Sequence, residues 1–383
     1  MTTFKNAPIV VTAVAALAAA GPAAAQELVV RIGHVGPTSG PAAHMGKAAE
    51  NGVRLAMAEL QAQGLRIGGK PVRLELLPED DAGDPRQATT AAQKLVDQRA
   101  SGVIGHLNSG TSIPASRVYS DAGIPQISPV ATNPTYTRQG YKTTFRMVTD
   151  DMQLGGTLGR YAVQTLKARH IVVVDDRTAY GQGVAQQFSK AVKATGGQIV
   201  DAQFTNDKAM DFTAILTAAK GKKVDLLFFG GMDAVAGPML RQMKQLGITA
   251  RFMGGDGICT IELPRLAAGG VSDDQVVCAE AGGVEGTRKV GLEGFFKRYR
   301  ERFGTEAQPS APYAYDALKV MVAAMVKAGS AEPKAYLPVL ARTENFDGVT
   351  GPVSFDDRGD LKNGALTLYT YAAGQRKQLA VVR

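Results

Sequence analysis

Gly102-Val-Ile-Gly-His-Leu-Asn-Ser-Gly-Thr-Ser-Ile-Pro-Ala-Ser-Arg-Val-Tyr-Ser-Asp-Ala-Gly-Ile-Pro-Gln-Ile127 decides the fold. The apolar run at 102–105 reads as a short strand, Ser112–Asp121 as a helix, and Ile124–Ile127 as a further short strand. Strand, helix and strand in so short a span make a β-α-β unit, which implies parallel pairing. In open sheets of this kind, ligands bind beyond the carboxyl ends of the strands. There the chain places Leu107-Asn108-Ser109-Gly110-Thr111-Ser112, hydroxyls crowded at a helix start. Free N–H groups and the positive end of the helix dipole suit a carboxylate. The same hydroxyls also serve as plain helix caps, and the stretch alone leaves both readings open.

On either side of this unit the alternation continues. Strands are predicted at Val29–His34 and Pro71–Leu77, with a helix at Ala43–Leu60. Another helix runs to about Gln98, opened by Asp84 as N-cap, Pro85 at the first helical position and Gln87 in the capping-box place. Near Arg146–Asp151 the cycle restarts. Helices at Leu154–Lys167, Gly183–Ala194, Phe212–Ala219 and Ala234–Leu246 then alternate with strands at 170–175, Gly197–Phe204, Val224–Phe229 and Phe252-Met253. Helices at 288–303 and 311–328 and a terminal hairpin follow. The expected fold class is α/β: two similar doubly wound parallel-sheet lobes with a ligand cleft between them. Two more strand ends are polar, Val130-Ala131-Thr132-Asn133-Pro134 and Gly254-Gly255-Asp256-Gly257. The hydroxyls of Ser109 and Thr132, with the carboxylate of Asp256, could together hold a small zwitterion.

The ends and the composition narrow the class. Lys5, an apolar run at 8–20 and Ala23-Ala24-Ala25 before Gln26 read as a cleaved secretory signal peptide, residues 1–25. The run is shorter than the roughly 20 residues a spanning helix needs. The remaining chain is expected to be a soluble exported protein, long enough for two domains. Of 383 residues, 45% are hydrophobic, none is Trp, and the net charge is +8. The densest basic cluster is Arg288, Lys289, Lys297, Arg298, Arg300 and Arg302. It shares its helix with Glu293, Glu301, Leu292, Phe295 and Phe296, and so reads as a solvated amphipathic face, not a nucleic-acid surface. Cys259 and Cys278 fall beside strands of the same half. Export permits a disulfide between them, and the sequence leaves their pairing open.

Enzyme and metal signals are poor. There is no Gly-x-Ser-x-Gly elbow and no Gly-Lys-Ser/Thr phosphate loop. Gly181-Gln182-Gly183 imitates a dinucleotide turn, but Gln186 stands where the third glycine belongs. It reads instead as a helix entry that needs positive φ. Asp80, Asp81 and Asp84 fail the calcium-loop pattern, with Ala91 in the place of the final Glu. His34, His44, His106 and His170 have no metal spacing, and His34 and His106 read as hydrogen-bonded strand-end histidines. No catalytic residue, metal or cofactor is expected.

Eight stretches in order along the chain carry a resemblance. They are Gly36-Pro-Thr-Ser-Gly-Pro41, Asp80-Asp-Ala-Gly-Asp-Pro-Arg-Gln-Ala88, Val103-Ile-Gly-His106, Pro129-Val-Ala-Thr132, Tyr180-Gly-Gln-Gly183, Phe228-Phe-Gly-Gly231, Phe252-Met-Gly254 and Gly351-Pro-Val-Ser-Phe-Asp356. From Gln26 onward the chain resembles the periplasmic leucine/isoleucine/valine-binding proteins, the soluble receptors of ABC importers. The resemblance implies three crossovers, near 150, 281 and 360. One lobe would then take residues 26–150 and 281–360, the other 151–280 and 361–383. It implies that Ser109 and Thr132 take a ligand α-carboxylate, while the Val130 carbonyl and Asp256 take the α-ammonium. Tyr180 would close over the ligand, with Leu107, Asn108 and Ala131 along the first-lobe wall.

Departures from the family pattern bear on the ligand. Met45 and Met232 stand where members for aliphatic amino acids often carry Tyr, and Asp256 stands where Glu is common. Gly83 and Asn108 replace the usual lobe-one cysteine pair. The expected function is a non-enzymatic periplasmic receptor for a branched-chain or other apolar amino acid, monomeric, with an inner-membrane ABC permease as partner. The alternatives are an amide or small-carboxylate ligand on the same fold, or an α/β enzyme.

Overall fold

A computed structural model describes residues 1–3 and 27–382, so the expected signal peptide, apart from residues 1–3, and its cleavage point at Gln26 lie outside the described residues. The first unit contains β1 (Leu28–Gly36), α1 (Ala43–Ala62), β2 (Arg66–Ile67), β3 (Lys70–Asp80), α2 (Pro85–Asp97), β4 (Gly102–Gly105), α3 (Ser109–Asp121), β5 (Gln126–Ser128) and β6 (Thr144–Arg146). Its sheet has the order β2-β3-β1-β4-β5-β6, parallel except for β2. The second unit contains α4 (Asp151–Gln164), β7 (Ile171–Asp175), α5 (Ala179–Ala194), β8 (Ile199–Phe204), α6 (Thr213–Gly221), β9 (Leu226–Gly230), α7 (Asp233–Gln245), β10 (Arg251–Gly254), α8 (Leu263–Leu266) and β11 (Val276–Ala281).

Three helices come next, α9 (Lys289–Phe303), α10 (Ser310–Ala328) and α11 (Pro333–Leu340), then a small hairpin of β12 (Phe346–Gly348) and β13 (Gly351–Val353). The terminal hairpin of β14 (Leu366–Ala372) and β15 (Gln375–Val382) joins the second sheet antiparallel to β11. That sheet has the order β15-β14-β11-β10-β9-β7-β8. The molecule is therefore an α/β protein of two parallel-dominated lobes.

The central strands are short apolar runs because helices cover both faces. Ile171-Val-Val-Val174 and Leu226-Leu-Phe-Phe-Gly230 are buried throughout. In the first lobe, α1, α10 and α11 cover one face, with Phe295 and Tyr299 of α9. Helices α2 and α3 cover the other. In the second, α4 and α5 cover one face, and α6, α7 and α8 the other. The basic helix α9 turns its aromatic residues inward, while Arg298 pairs with Glu59 and Arg300 with Glu306.

Several local expectations are corrected. Helix α3 begins at Ser109, not Ser112. Helix α5 begins at Ala179, with the Thr178 hydroxyl accepting from the Gly181 N–H, not at Gly183. Gly181 and Gly183 lie inside that helix without positive φ. They are needed for close approach instead. A Cβ on Gly183 would lie 2.7 Å from Asn133 Nδ2, and one on Gly181 2.4 Å from the Gly230 carbonyl oxygen. His106 is hydrogen-bonded as expected, with Nδ1 2.8 Å from Asp81 and Nε2 3.1 Å from the Tyr119 hydroxyl. His34 is not: it is buried and neither ring nitrogen closes a hydrogen bond among the described residues. Burial pushes its pKa down to about 4, so the ring is neutral.

Candidate functional site

The turns beyond the carboxyl ends of both parallel sheets line one cleft between the lobes. From the first lobe come Met45, Leu107, Asn108, Ser109 and Val130. From the second come Tyr180, Met232, Asp256, Gly257 and Thr260. These turns adjoin the topological switch points of the two sheets, since β1 lies between β3 and β4, and β7 between β8 and β9.

The first-lobe wall is a donor surface. Asn108 is the N-cap of α3 but makes no side-chain capping bond, so the first amides of this helix are not occupied by a cap. The Ser109 hydroxyl accepts from the Asn133 N–H at 3.1 Å, which leaves its own proton to donate. Below the turn, the His106 carbonyl accepts from both Ser112 and Ser128 hydroxyls, at 2.9 and 2.8 Å, and holds the two strand ends together. Ala131 and Thr132 do not line the cleft. The Ala131 carbonyl accepts from the buried Arg146 at 2.8 Å. The Thr132 hydroxyl is buried and has no partner within hydrogen-bonding geometry among the described residues.

The second-lobe wall is acidic. Asp256 opens a single 3-10 turn, Asp256–Ile258, just past β10. Its Oδ1 is buried without a partner among the described residues. Burial pushes this carboxyl up to about 6; the Tyr180 hydroxyl facing it pulls the other way, and the nearby charge of Glu280 adds to the rise. The Tyr180 hydroxyl accepts from the Gly257 N–H at 2.9 Å, which fixes the ring against the Asp256 turn. Further back, Asp151 at the start of α4 is fully buried, with both carboxylate oxygens unpartnered. Burial raises it to about 8, opposed by the Thr132 hydroxyl and reinforced by Asp256. Asp151 is therefore protonated at neutral pH.

Among the bonds that join the lobes, two side-chain bonds lie beside the cleft. His44 Nε2 lies 2.9 Å from Asp233 Oδ2, which also accepts from the Thr260 hydroxyl at 2.6 Å. Asn133 Nδ2 donates to the Ala179 carbonyl at 2.7 Å. Burial lowers the His44 pKa, but the hydrogen bond to Asp233 and its charge, with Glu262, outweigh that, and the net shift is upward. Cys259 and Cys278 are joined by a disulfide, Cα to Cα 5.4 Å, which fastens the Asp256 turn to β11.

The arrangement offers neutral donors on one side, a carboxylate on the other and apolar side chains between, and residues 29–376 match the model of the family described as periplasmic binding protein. The chain belongs to that family. Its relatives include the Leu/Ile/Val-binding protein homolog 1 of Brucella abortus (strain 2308), 34% identical over 94% of this chain and 95% of that one. Another is the leucine-, isoleucine-, valine-, threonine-, and alanine-binding protein of Pseudomonas aeruginosa, 32% identical over 89% and 90%. Among solved structures, it resembles the branched-chain amino acid transporter substrate binding protein of Streptococcus pneumoniae in complex with isoleucine. That structure superposes with a TM-score of 0.83 at 28% identity, covering 92% of this chain and 99% of that one.

Parts of the cleft of this periplasmic binding protein escape sequence reasoning. Glu280 and Ala281 of β11 and Pro309, Ser310 and Tyr313 at the start of α10 also line it. Tyr313 donates its hydroxyl to the Ala281 carbonyl, and the Ser310 hydroxyl donates to the Met45 carbonyl at 2.9 Å. A signal for Glu280 did exist: it is an acid closing the apolar run Val276-Val-Cys-Ala279 at a strand's carboxyl end. Nothing local marks Ser310 or Tyr313, because they reach the cleft through the packing of α10 on α1.

Proposed function

We propose that this periplasmic binding protein is the exported receptor of an ABC importer and binds an α-amino acid with a small, largely apolar side chain. The observation that carries the reading is the opposition of two complementary walls. The uncapped start of α3 with Ser109 would receive the α-carboxylate. Asp256, with a buried and partnerless oxygen, would receive the α-ammonium, joined by the Val130 carbonyl. The orphaned Thr132 hydroxyl would complete the carboxylate site once the turn beside it adjusts to the ligand. Charge-assisted bonds of this kind are short and roughly twice as strong as neutral ones, and a cleft closed to water strengthens them further. Met45, Leu107, Met232 and Tyr180 supply the apolar walls, with Asn108 beside them. The two methionines are adaptable side chains that suit a range of ligand shapes.

The lobes divide at crossovers near 150, 281 and 360, and the ligand, gripped from both sides, favours their closure. The names of the relatives, which include leucine, isoleucine, valine and threonine, support this ligand class. The receptor acts as a monomer after removal of its signal peptide and delivers the ligand unaltered to an inner-membrane permease. A second reading, an amide or small carboxylate, is favoured by the raised pKa of Asp256, which would let its acid form meet a neutral group. Mass spectrometry of the small molecule released on denaturing the purified protein separates the readings. A free α-amino acid is expected; an amide, a carboxylate without an amine, or a chemically converted product counts against it.

A further inference from the structure

Glu280 is out of keeping with an aliphatic pocket. It lies on the cleft wall among Ala281, Tyr313 and Thr260, and also borders the neighbouring groove beside α9. Its carboxylate is three-quarters or more enclosed, with the side chain 15% exposed. One oxygen, Oε2, is clamped by Arg376. That guanidinium is held in turn by the Cys259 carbonyl at 2.8 Å and by the face of the Tyr369 ring, 4.7 Å away. The disulfide between Cys259 and Cys278 fixes the same corner, since Cys278 lies two residues before Glu280 on β11. The other oxygen, Oε1, has no protein donor among the described residues. Arg376 pairs with Glu280 and offsets part of its charge, so Asp256 is the carboxylate left free to meet a ligand ammonium. What remains at Glu280 is a hydrogen-bond acceptor, held by Arg376, on the wall that the cleft shares with the groove beside α9.

We infer that Glu280 is a specificity-determining residue: its Oε1 accepts a hydrogen bond from an N–H or O–H on the ligand side chain. The receptor therefore prefers amino acids with a hydroxyl or amide side chain over hydrocarbon side chains of the same shape. The inference rests on the amino-acid reading above. Closure on a purely hydrocarbon side chain would bury Oε1 without a donor, which costs far more than a missing methyl contact. A site built to hydrogen-bond a ligand group rejects the analogue that lacks it, whereas apolar pockets discriminate weakly.

The test uses isosteric pairs, so that size cancels. Ligand-stripped protein is titrated calorimetrically with L-threonine and L-valine, and with L-asparagine and L-leucine. The same titrations are run on Glu280→Met/Arg376→Met, which removes the ion pair as a unit and leaves no lone buried charge. The wild type is expected to bind the donor-bearing member of at least one pair about tenfold more tightly, and the double variant to lose or reverse that preference. Tighter binding of both valine and leucine by the wild type overturns the inference and leaves the amino-acid reading standing. So does a preference for the donor that survives in the double variant. If no L-amino acid binds at all, the amino-acid reading fails and this inference falls with it. Should the double variant not fold, the wild-type ratios alone decide.

Discussion

Asp256 carries the largest electrostatic demand in the cleft. Its carboxyl is raised to about 6, chiefly by burial. An ammonium placed against it favours the ionised form, so binding near pH 6 should expel a proton. Calorimetry in buffers of different ionisation heat should detect that release at pH 5–6 and lose it above about pH 7.5. Affinity should fall as pH drops through about 6, because the protonated acid no longer attracts an ammonium. Asp256→Asn should abolish the proton release and cost at least about 2 kcal/mol of binding, the usual loss when one member of a desolvated charge pair is removed. Unchanged affinity in that variant would remove Asp256 from the site. Residues of this kind were legible because strand ends in a parallel sheet are where side chains can be gathered. The precise facing was not: Val130 reaches the cleft, while Ala131 and Thr132, its immediate neighbours, turn away toward Arg146 and Asp151.

Helix α1 meets the start of α7 across the cleft through His44 and Asp233, and each of these residues adjoins a cleft-wall methionine, Met45 or Met232. The groups facing the imidazole are Asp233, Glu262 and Arg265, and their balance raises its pKa while the two lobes are in contact. Separation of the lobes would return it toward the free value of about 6.5. The extra stability of the closed form is thus fully present below that value and lost as pH rises through the raised one. Above about pH 6.5, where Asp256 stays ionised, affinity should weaken with rising pH by an amount worth about 1 kcal/mol or less. His44→Gln should flatten that dependence, and an unaltered slope would exclude the pair. Behind the second-lobe wall of the cleft, Cys259→Ser/Cys278→Ser should lower unfolding stability by about 3 kcal/mol for a loop of this length, measured by denaturant titration. The long helices and the apolar strands were readable from periodicity. Strand β6 was not, because Thr144-Phe-Arg146 ends in a guanidinium that looks solvated and is in fact fully buried, 2.5 Å from Asp360. The pieces 333–340 and 346–353 were also missed, being too short to display a period.

The two-lobed form of the whole molecule followed from repetition: the β-α alternation runs twice along the chain, and each run makes one sheet. Where the third stretch packs did not follow from repetition; only the family resemblance implied that residues 281–360 return to the first lobe. Helices α9, α10 and α11 come after the second sheet in sequence yet bury Phe295, Tyr315 and Tyr336 in the core of the first lobe. Only long-range packing specifies such a return, and it also delivers Tyr313 and Ser310 to the cleft. The central claim is that a zwitterion bridges the lobes, carboxylate to the α3 start and ammonium to Asp256. It is tested most directly by calorimetric titration of ligand-stripped protein with the standard L-amino acids, and of each binder's analogue lacking the α-amine. The expected result is tight binding of one or more amino acids and a loss of at least about 2 kcal/mol for the analogue. Equal affinity for the analogue, or no amino acid binding at all, would contradict it.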